Sequence, residues 1–392
     1  MYRILVIAIV LILYGSLWPW QYNPAHATGN PLWVLLHSWP NQRGALDMAD
    51  IVVNLLLYIP VGMFGYMALD KGEHRRLRVI GPVALGFVLS VSVEMTQIFD
   101  KTRNCSAVDL LCNTVSAAAG VLLGFFFRAS LRSSSRRPME ERRFHASGPL
   151  MLVYLWVGFQ TIPIFPLTFK IAAKVHALSP THLSRVEFLV SLIAWLAIAR
   201  LLEAVYDPKW AWRVLLSLSL LAPAKIFIEQ RQPTYSELAG VASALIIWKL
   251  ILCRLEWRTA IVAGMMILLL AVQGLHPFQF TGRGHFSWIP FLSLLQSQWE
   301  HGLVLLCEKG FWYGASVWLL WASGQRLIIS SVLIASLLAA IEAAQIYLPG
   351  RTAEITDPLL AMILGCIVWV FQHHGPRAAT RLREPEPVPE RA

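Results

Sequence analysis

Continuous apolar runs constrain this chain more than any other feature. Ile4 to Trp18, Ile51 to Leu69, Val79 to Ile98 and Ala107 to Phe127 each approach the roughly 20 apolar residues that cross about 30 Å of hydrocarbon as a helix. A β-barrel would instead show short alternating segments, because its lumen face stays polar. The whole chain is 56% hydrophobic and 14% charged, with a mean hydropathy of +0.56, against about 25% charged residues in an ordinary soluble domain. No single soluble core hides that much apolar surface. The chain reads as an all-α, polytopic transmembrane bundle embedded in a lipid bilayer.

Twelve candidate spans follow, centred near residues 11, 60, 89, 117, 160, 195, 220, 244, 266, 312, 336 and 363. Arg3 before the first run and Pro24-Ala25-His26-Ala27 after it also fit a cleaved secretory signal. Later units begin with a helix before their polar loop as well, so retention as the first span is the simpler reading. With the N-terminus in the cytoplasm, cytoplasmic segments hold 21 of the 33 Lys and Arg, the opposite side 11, and Arg200 lies inside a span. That bias places both termini in the cytoplasm of a bacterial inner membrane. It also accounts for the net charge of +10 and the pI near 9.6 without nucleic acid as a partner.

The five cysteines, Cys105, Cys112, Cys253, Cys307 and Cys366, have no metal-ligand spacing and read as small hydrophobes. His276 and His285 have no carboxylate at zinc-ligand spacing, so neither a metal nor a cofactor is expected.

An internal repeat organises the spans. Glu94, Gln97, Arg103 and Asp109 recur with identical spacing as Glu342, Gln345, Arg351 and Asp357, and Ile98 is matched by Ile346. At about 5% per residue type, four coincidences in one register are improbable. A worn copy lies between them: Lys225, Arg231 and Glu237 keep the six-residue steps, with Ala222 in the place of the glutamate. The arginines are 128 and 120 residues apart, which predicts three parallel units of four spans. The domains are then 1–130, a basic cytoplasmic linker 131–148, a degenerate unit 149–256, a third unit 257–375 and a disordered tail 376–392. Four is even, so the units share one orientation, unlike inverted transporter repeats.

Glu94 and Gln97, at i and i+3, share a face at the outer end of the third span. Arg103 sits in the following loop, and Asp109 with Asn113 share a face at the start of the fourth span. On the second span Asp50 and Asn54 are again i and i+4, with Pro60 and Gly62 deeper, placed to bend the helix or to allow close packing. Charges just inside a membrane are costly and usually face a bundle interior or a wet cavity, which marks Asp50, Asn54, Glu94, Gln97, Arg103, Asp109 and Asn113 as a ligand-binding set. The plainer alternative makes them structural: Arg103 pairs with Glu94 or Asp109, the glutamine bonds a helix end and Asp109 caps the fourth span. In the third unit Ala361 replaces the asparagine, Glu308 and Trp312 loosely take the Asp50 and Asn54 positions, and Trp288-Ile289-Pro290-Phe291 reads as an interfacial anchor.

Asp50-x3-Asn54-x5-Pro60-x-Gly62, followed by Glu94-x2-Gln97, Arg103, Asp109 and Asn113, resembles the VanZ-like membrane domain. Residues from about 45 to 127 carry the resemblance best. Those from about 286 to 370 carry a second copy, whose Trp-Ile-Pro-Phe loop is similar to that family's Ile-Pro-Phe segment. The family's namesake is associated with teicoplanin resistance without an established biochemical activity, and many relatives lie among genes for cell-envelope or exopolysaccharide functions. The resemblance therefore implies an envelope protein meeting an amphiphile such as a lipid-linked glycan or a lipoglycopeptide. Here it is a fused array with decayed copies. The expected role is binding at the extracytoplasmic leaflet by the set above, with Glu342, Gln345, Arg351 and Asp357 as second-copy equivalents. Catalysis by Glu94 beside Asp109, transport and an assembly scaffold for envelope polysaccharide are the alternatives; no nucleophile–base pair or phosphate-cradling glycine loop supports an enzyme.

Overall fold

The computed structural model describes residues 1–23, 30–39, 48–69, 75–103, 105–132, 140–162, 174–175, 178, 184–228, 231–282 and 284–373. The cleavage-like Pro24 to Ala27, Arg283, most of the proposed linker's centre and the C-terminal tail lie outside the described residues. Among the described residues nine helices are long and apolar enough to cross a membrane, and Tyr2–Ser16 and Thr356–Phe371 are shorter apolar helices. Ile80, Val88, Leu122, Leu268 and Ile328 stand between 59% and 73% exposed on these helices. Such an outward apolar surface is suited to lipid and not to water. The protein is a membrane-embedded, multi-pass helical protein.

The chain forms two compact units, Met1–Met139 and Glu140–Ala392. The first contains α1 (Tyr2–Ser16), α2 (Pro31–His37), α3 (Met48–Leu57), α4 (Ile59–Ala68), α5 (Arg75–Gln97) and α6 (Ala107–Arg132). α3 and α4 together make one candidate span, Asp50–Ala68, broken at Tyr58. Pro60 lies in the first turn of α4, where it has no N–H to give. At the break the Tyr58 N–H donates to Ser116 Oγ on α6 at 3.1 Å, a bond from the neighbouring helix. Just beyond it α4 and α6 come into backbone contact. A Cβ on Gly62 would strike the Ala117 carbonyl, and one on Gly120 would strike the Ile59 carbonyl. Small residues permit this approach, the usual means of tight helix packing in lipid. Pro60 and Gly62 thus perform both of the roles their position suggests, one bending the span and the other admitting its neighbour.

The second unit contains α7 (Glu140–Thr161), α8 (Arg185–Val205), α9 (Pro208–Ser219), α10 (Leu221–Ala224), α11 (Tyr235–Leu250), α12 (Arg258–Leu275), α13 (Leu292–Gln296), α14 (Trp299–Ala322), α15 (Leu327–Gln345) and α16 (Thr356–His373). α8 runs through its centre, buried from Ser191 to Ala199, and packs against α7, α9, α11 and α12. α7 begins inside the stretch read as linker because Glu140, Glu141, Arg142 and Arg143 are good helix formers. It ends ahead of Pro163, so the span centred near residue 160 sits about ten residues earlier in the chain. A two-residue parallel pair, β1 (Phe286–Ser287) on β2 (Ala353–Glu354), joins the loop before α13 to the loop before α16. Trp288, next to it, is 76% exposed, as befits an interfacial anchor.

Gly62→Val should separate α4 from α6 and cost roughly 1–3 kcal/mol, as overpacking does. A lower thermal midpoint in detergent is expected for it. Gly264→Val, where an added Cβ meets nothing within 4 Å, should leave the midpoint near the parent's.

Candidate functional site

Three side chains of the first unit grip backbone. Gln97, at the end of α5, donates its Nε2–H to the Ser16 carbonyl at 2.7 Å, and Arg103 donates its Nε–H to the Trp18 carbonyl at 2.9 Å. Ser16 ends α1, and the last carbonyls of a helix have no partner within it. An amide or guanidinium supplies one, and the cation also suits the negative helix end. Glu94, 2% exposed, accepts the Ser106 N–H on Oε2 at 2.8 Å and so closes the loop between α5 and α6. Ser106 Oγ in turn accepts the Asp109 N–H at 3.2 Å and caps α6.

The same grips recur in the second compact unit. Gln345 Nε2 donates to the Gly274 carbonyl at 2.9 Å, and Arg351 Nη2 donates to the Gln273 and His276 carbonyls, both at 3.2 Å. Glu342 Oε2 accepts the Glu354 N–H at 2.7 Å. In both copies the carboxylate holds the amide twelve residues on. Beyond the captured helix ends, the backbone turns through Trp20 at φ 60° and Phe278 at φ 62°. In the worn copy Arg231 still holds the Ile162 carbonyl after α7, through Nε at 3.1 Å and Nη2 at 2.7 Å. There Lys225 occupies the glutamine position and pairs with Glu237 at 2.5 Å.

Arg103 is exposed and pairs with neither Glu94 nor Asp109; beyond its bond to Trp18 its guanidinium donors have no partner among the described residues. The Asp109 carboxylate lies against the Asn54 amide and faces the Asp50 carboxylate, which is exposed. Two acids thus share one corner; among the described residues neither makes a salt bridge, and Arg103 is the cation near enough to act on Asp109. The counterpart in the second compact unit is closed: Asp357 takes Lys309 Nζ on Oδ1 and the Tyr313 hydroxyl on Oδ2, each at 2.5 Å. Lys309 and Tyr313, not Glu308 and Trp312, therefore occupy the Asp50 and Asn54 positions. One residue is about 100° of helix rotation, which turns Trp312 into an aromatic cluster with Phe311 and Trp156.

Beneath the corner, the first unit carries a buried polar column. Asn113 donates Nδ2–H to Ser90 Oγ at 3.0 Å, while its Oδ1 has no partner among the described residues. The buried Tyr58 hydroxyl lies near Ser90 and Glu94. In the repeat register Ser90 and Asn113 become Leu338 and Ala361, both buried in apolar packing. Ser90 and Tyr58 were not singled out from the sequence, although Ser90 stands at i−4 from Glu94 on one helix face.

Asp100 is a further residue that spacing did not reveal. Its carboxylate accepts the Gln21 N–H at 3.0 Å and the Thr102 N–H and hydroxyl at 2.9 and 2.7 Å, tying the segment after α1 to the loop after α5. The Asp-x-Thr pattern of a side-chain turn was the available signal. Burial works to raise its pKa, but the Thr102 and Gln21 donors outweigh it and hold the carboxyl below the ordinary Asp value. Among the described residues no three His, Cys, Asp or Glu side chains gather closely enough to hold a metal ion.

The family model described as VanZ/LLP1 matches residues 2–128. This segment is VanZ-like. No curated protein matches the chain, and no solved structure does. All of Asp50, Asn54, Glu94, Gln97, Arg103, Asp109 and Asn113 lie within the VanZ-like segment. The match stops short of the copy from Glu342 to Asp357, whose likeness to it is carried by the repeated contacts.

A depressed folded pKa means that Asp100 adds stability at neutral pH, lost as the pH falls through its folded value. Asp100→Asn should therefore flatten the acid limb of a pH–stability curve measured by thermal unfolding. Lys309→Met should cost about 2 kcal/mol by stranding the Asp357 carboxylate. Adding Asp357→Leu to that variant should restore part of the loss in the same unfolding assay, since the stranded Asp357 charge is then removed with its partner.

Proposed function

We propose that this is a VanZ-like integral membrane protein of the bacterial envelope whose first unit binds the polar head of a glycan-bearing lipid or related amphiphile. In this reading the chain is three parallel units of four spans, with both termini cytoplasmic and the Glu94 to Asp109 loop at the extracytoplasmic leaflet. The carrying observation is the difference between the copies. Asp109, Asn54 and Asp50 form an open corner with no salt-bridged cation, whereas Lys309 and Tyr313 close the equivalent corner on Asp357. Carboxylate and amide oxygens suit the hydroxyl groups of a sugar. The free donors of Arg103, at the loop beside them, suit a phosphate or carboxylate on the same ligand.

The recurrent tie of Glu94 to the Ser106 amide favours binding over acid–base catalysis, because Glu342 makes the same bond in a copy whose corner is closed. Glu94, Gln97 and Arg103 hold the loop in position, and Asp50, Asn54 and Asp109 meet the ligand with Asn113 beneath them.

Binding of a lipid-linked glycan and of a lipoglycopeptide to the protein in nanodiscs tests this reading. Asp109→Asn and Arg103→Ala should each weaken binding by about tenfold or more, the scale of a charge-assisted hydrogen bond. Asp357→Asn should bind as the parent does. Parent-like binding by both first-unit variants would remove the site assignment.

A further inference from the structure

At the opposite end of the second unit from the Glu342 loop, a cleft of about 480 Å³ is lined by Arg200, Ala204, Trp318, Trp321, Gly324 and Gln325. Arg200 is three-quarters of the way along the span Arg185–Val205, where a charge is costly to keep. Its Nε–H donates to Thr259 Oγ1 at 2.7 Å, and its guanidinium lies 5.6 Å from the Trp318 ring centroid. The carboxylate nearest in sequence, Glu203, lies within electrostatic reach of Arg200 but makes its salt bridge to Arg258 Nε at 3.2 Å. Among the described residues neither Nη of Arg200 has a hydrogen-bond partner, and both are left to the cleft.

We propose that this cleft binds the headgroup of an anionic phospholipid, with Arg200 on the phosphate. A planar guanidinium offers two parallel N–H donors to phosphate oxygens, and the Trp318 face fixes its plane. Trp321 and Ala322 supply an apolar wall at the depth where acyl chains begin, while Gln325, exposed at the end of α14, reaches the polar side of the headgroup. The same end of the unit carries Lys209, Arg213, Lys249, Arg258 and Arg326, so its surface draws acidic lipid toward the cleft. Basic pockets between spanning helices on the cytoplasmic side are suited to such headgroups. Under the orientation given above, this is the inner leaflet; the site is separate from the Asp109 corner and does not depend on what that corner binds.

Thermal unfolding of the full chain in a neutral detergent, with and without added lipid, tests the proposal. Phosphatidylglycerol or cardiolipin should raise the midpoint by several degrees, and phosphatidylcholine should not. In Arg200→Gln the acidic-lipid shift should vanish. Should that variant fail to fold, Gln325→Glu, at an exposed position, sets a carboxylate against the phosphate and should weaken acidic-lipid binding by about tenfold. A parent-sized shift in a folded Arg200→Gln, or an undiminished one in Gln325→Glu, would overturn the assignment. So would an equal shift with phosphatidylcholine. Inorganic phosphate alone reproducing the full shift would overturn the lipid as its source.

Discussion

The loop from Gln97 to Asp109 in the VanZ-like unit depends on how the open end of α1 is satisfied. A helix finishes with carbonyls that have no internal partner, and at a membrane boundary water only partly replaces one. Gln97 and Arg103 supply partners for Ser16 and Trp18, and in doing so bind α1 to the loop between α5 and α6. Glu94 then fixes the far side of that loop through the Ser106 amide. With the loop pinned at both sides, the start of α6 has one position, and Asp109 is delivered to the corner with Asn54 and Asp50.

The three segments that share this spacing differ in which of these bonds they make. The arginine grip on the end of the first helix is made by Arg103, Arg231 and Arg351 alike. The glutamine grip survives in two copies and gives way to the Lys225–Glu237 ion pair in the other, where a charge pair replaces an amide bond. The corner acid varies most in its surroundings: open beside Asp50, filled by Lys225, or neutralised by Lys309 and Tyr313. Bonds that recur where the corner is closed belong to the scaffold, and under the proposed function what changes with the corner is what meets the ligand.

The helical membrane fold was legible in the apolar runs because a span has to be apolar along its whole length. The recurring polar spacing was legible too, and the same loop ties are made at both of its well-kept occurrences, since such ties demand fixed residue types at fixed steps. Partner identity was not. Whether Gln97 meets a ligand or a carbonyl depends on where α1 ends in space, which the spacing within the repeat does not encode. The register of α14 was one residue away from the reading by sequence, because Glu308 beside Lys309 offers two charged positions and only packing on Trp156 and Phe311 selects between them. Tyr58, Ser90 and Asp100 escaped notice for a different reason, being common residue types whose meaning comes from the helix that faces them.

Backbone amide exchange in nanodiscs separates scaffold from site most directly. Glu94→Leu removes the acceptor for Ser106 and should deprotect the amides from about Asp100 to Asp109, while Asp109→Asn should leave their protection at the parent level and lose the ligand. Full protection in Glu94→Leu together with lost binding would contradict the account, because Glu94 would then meet the ligand and would not hold the loop.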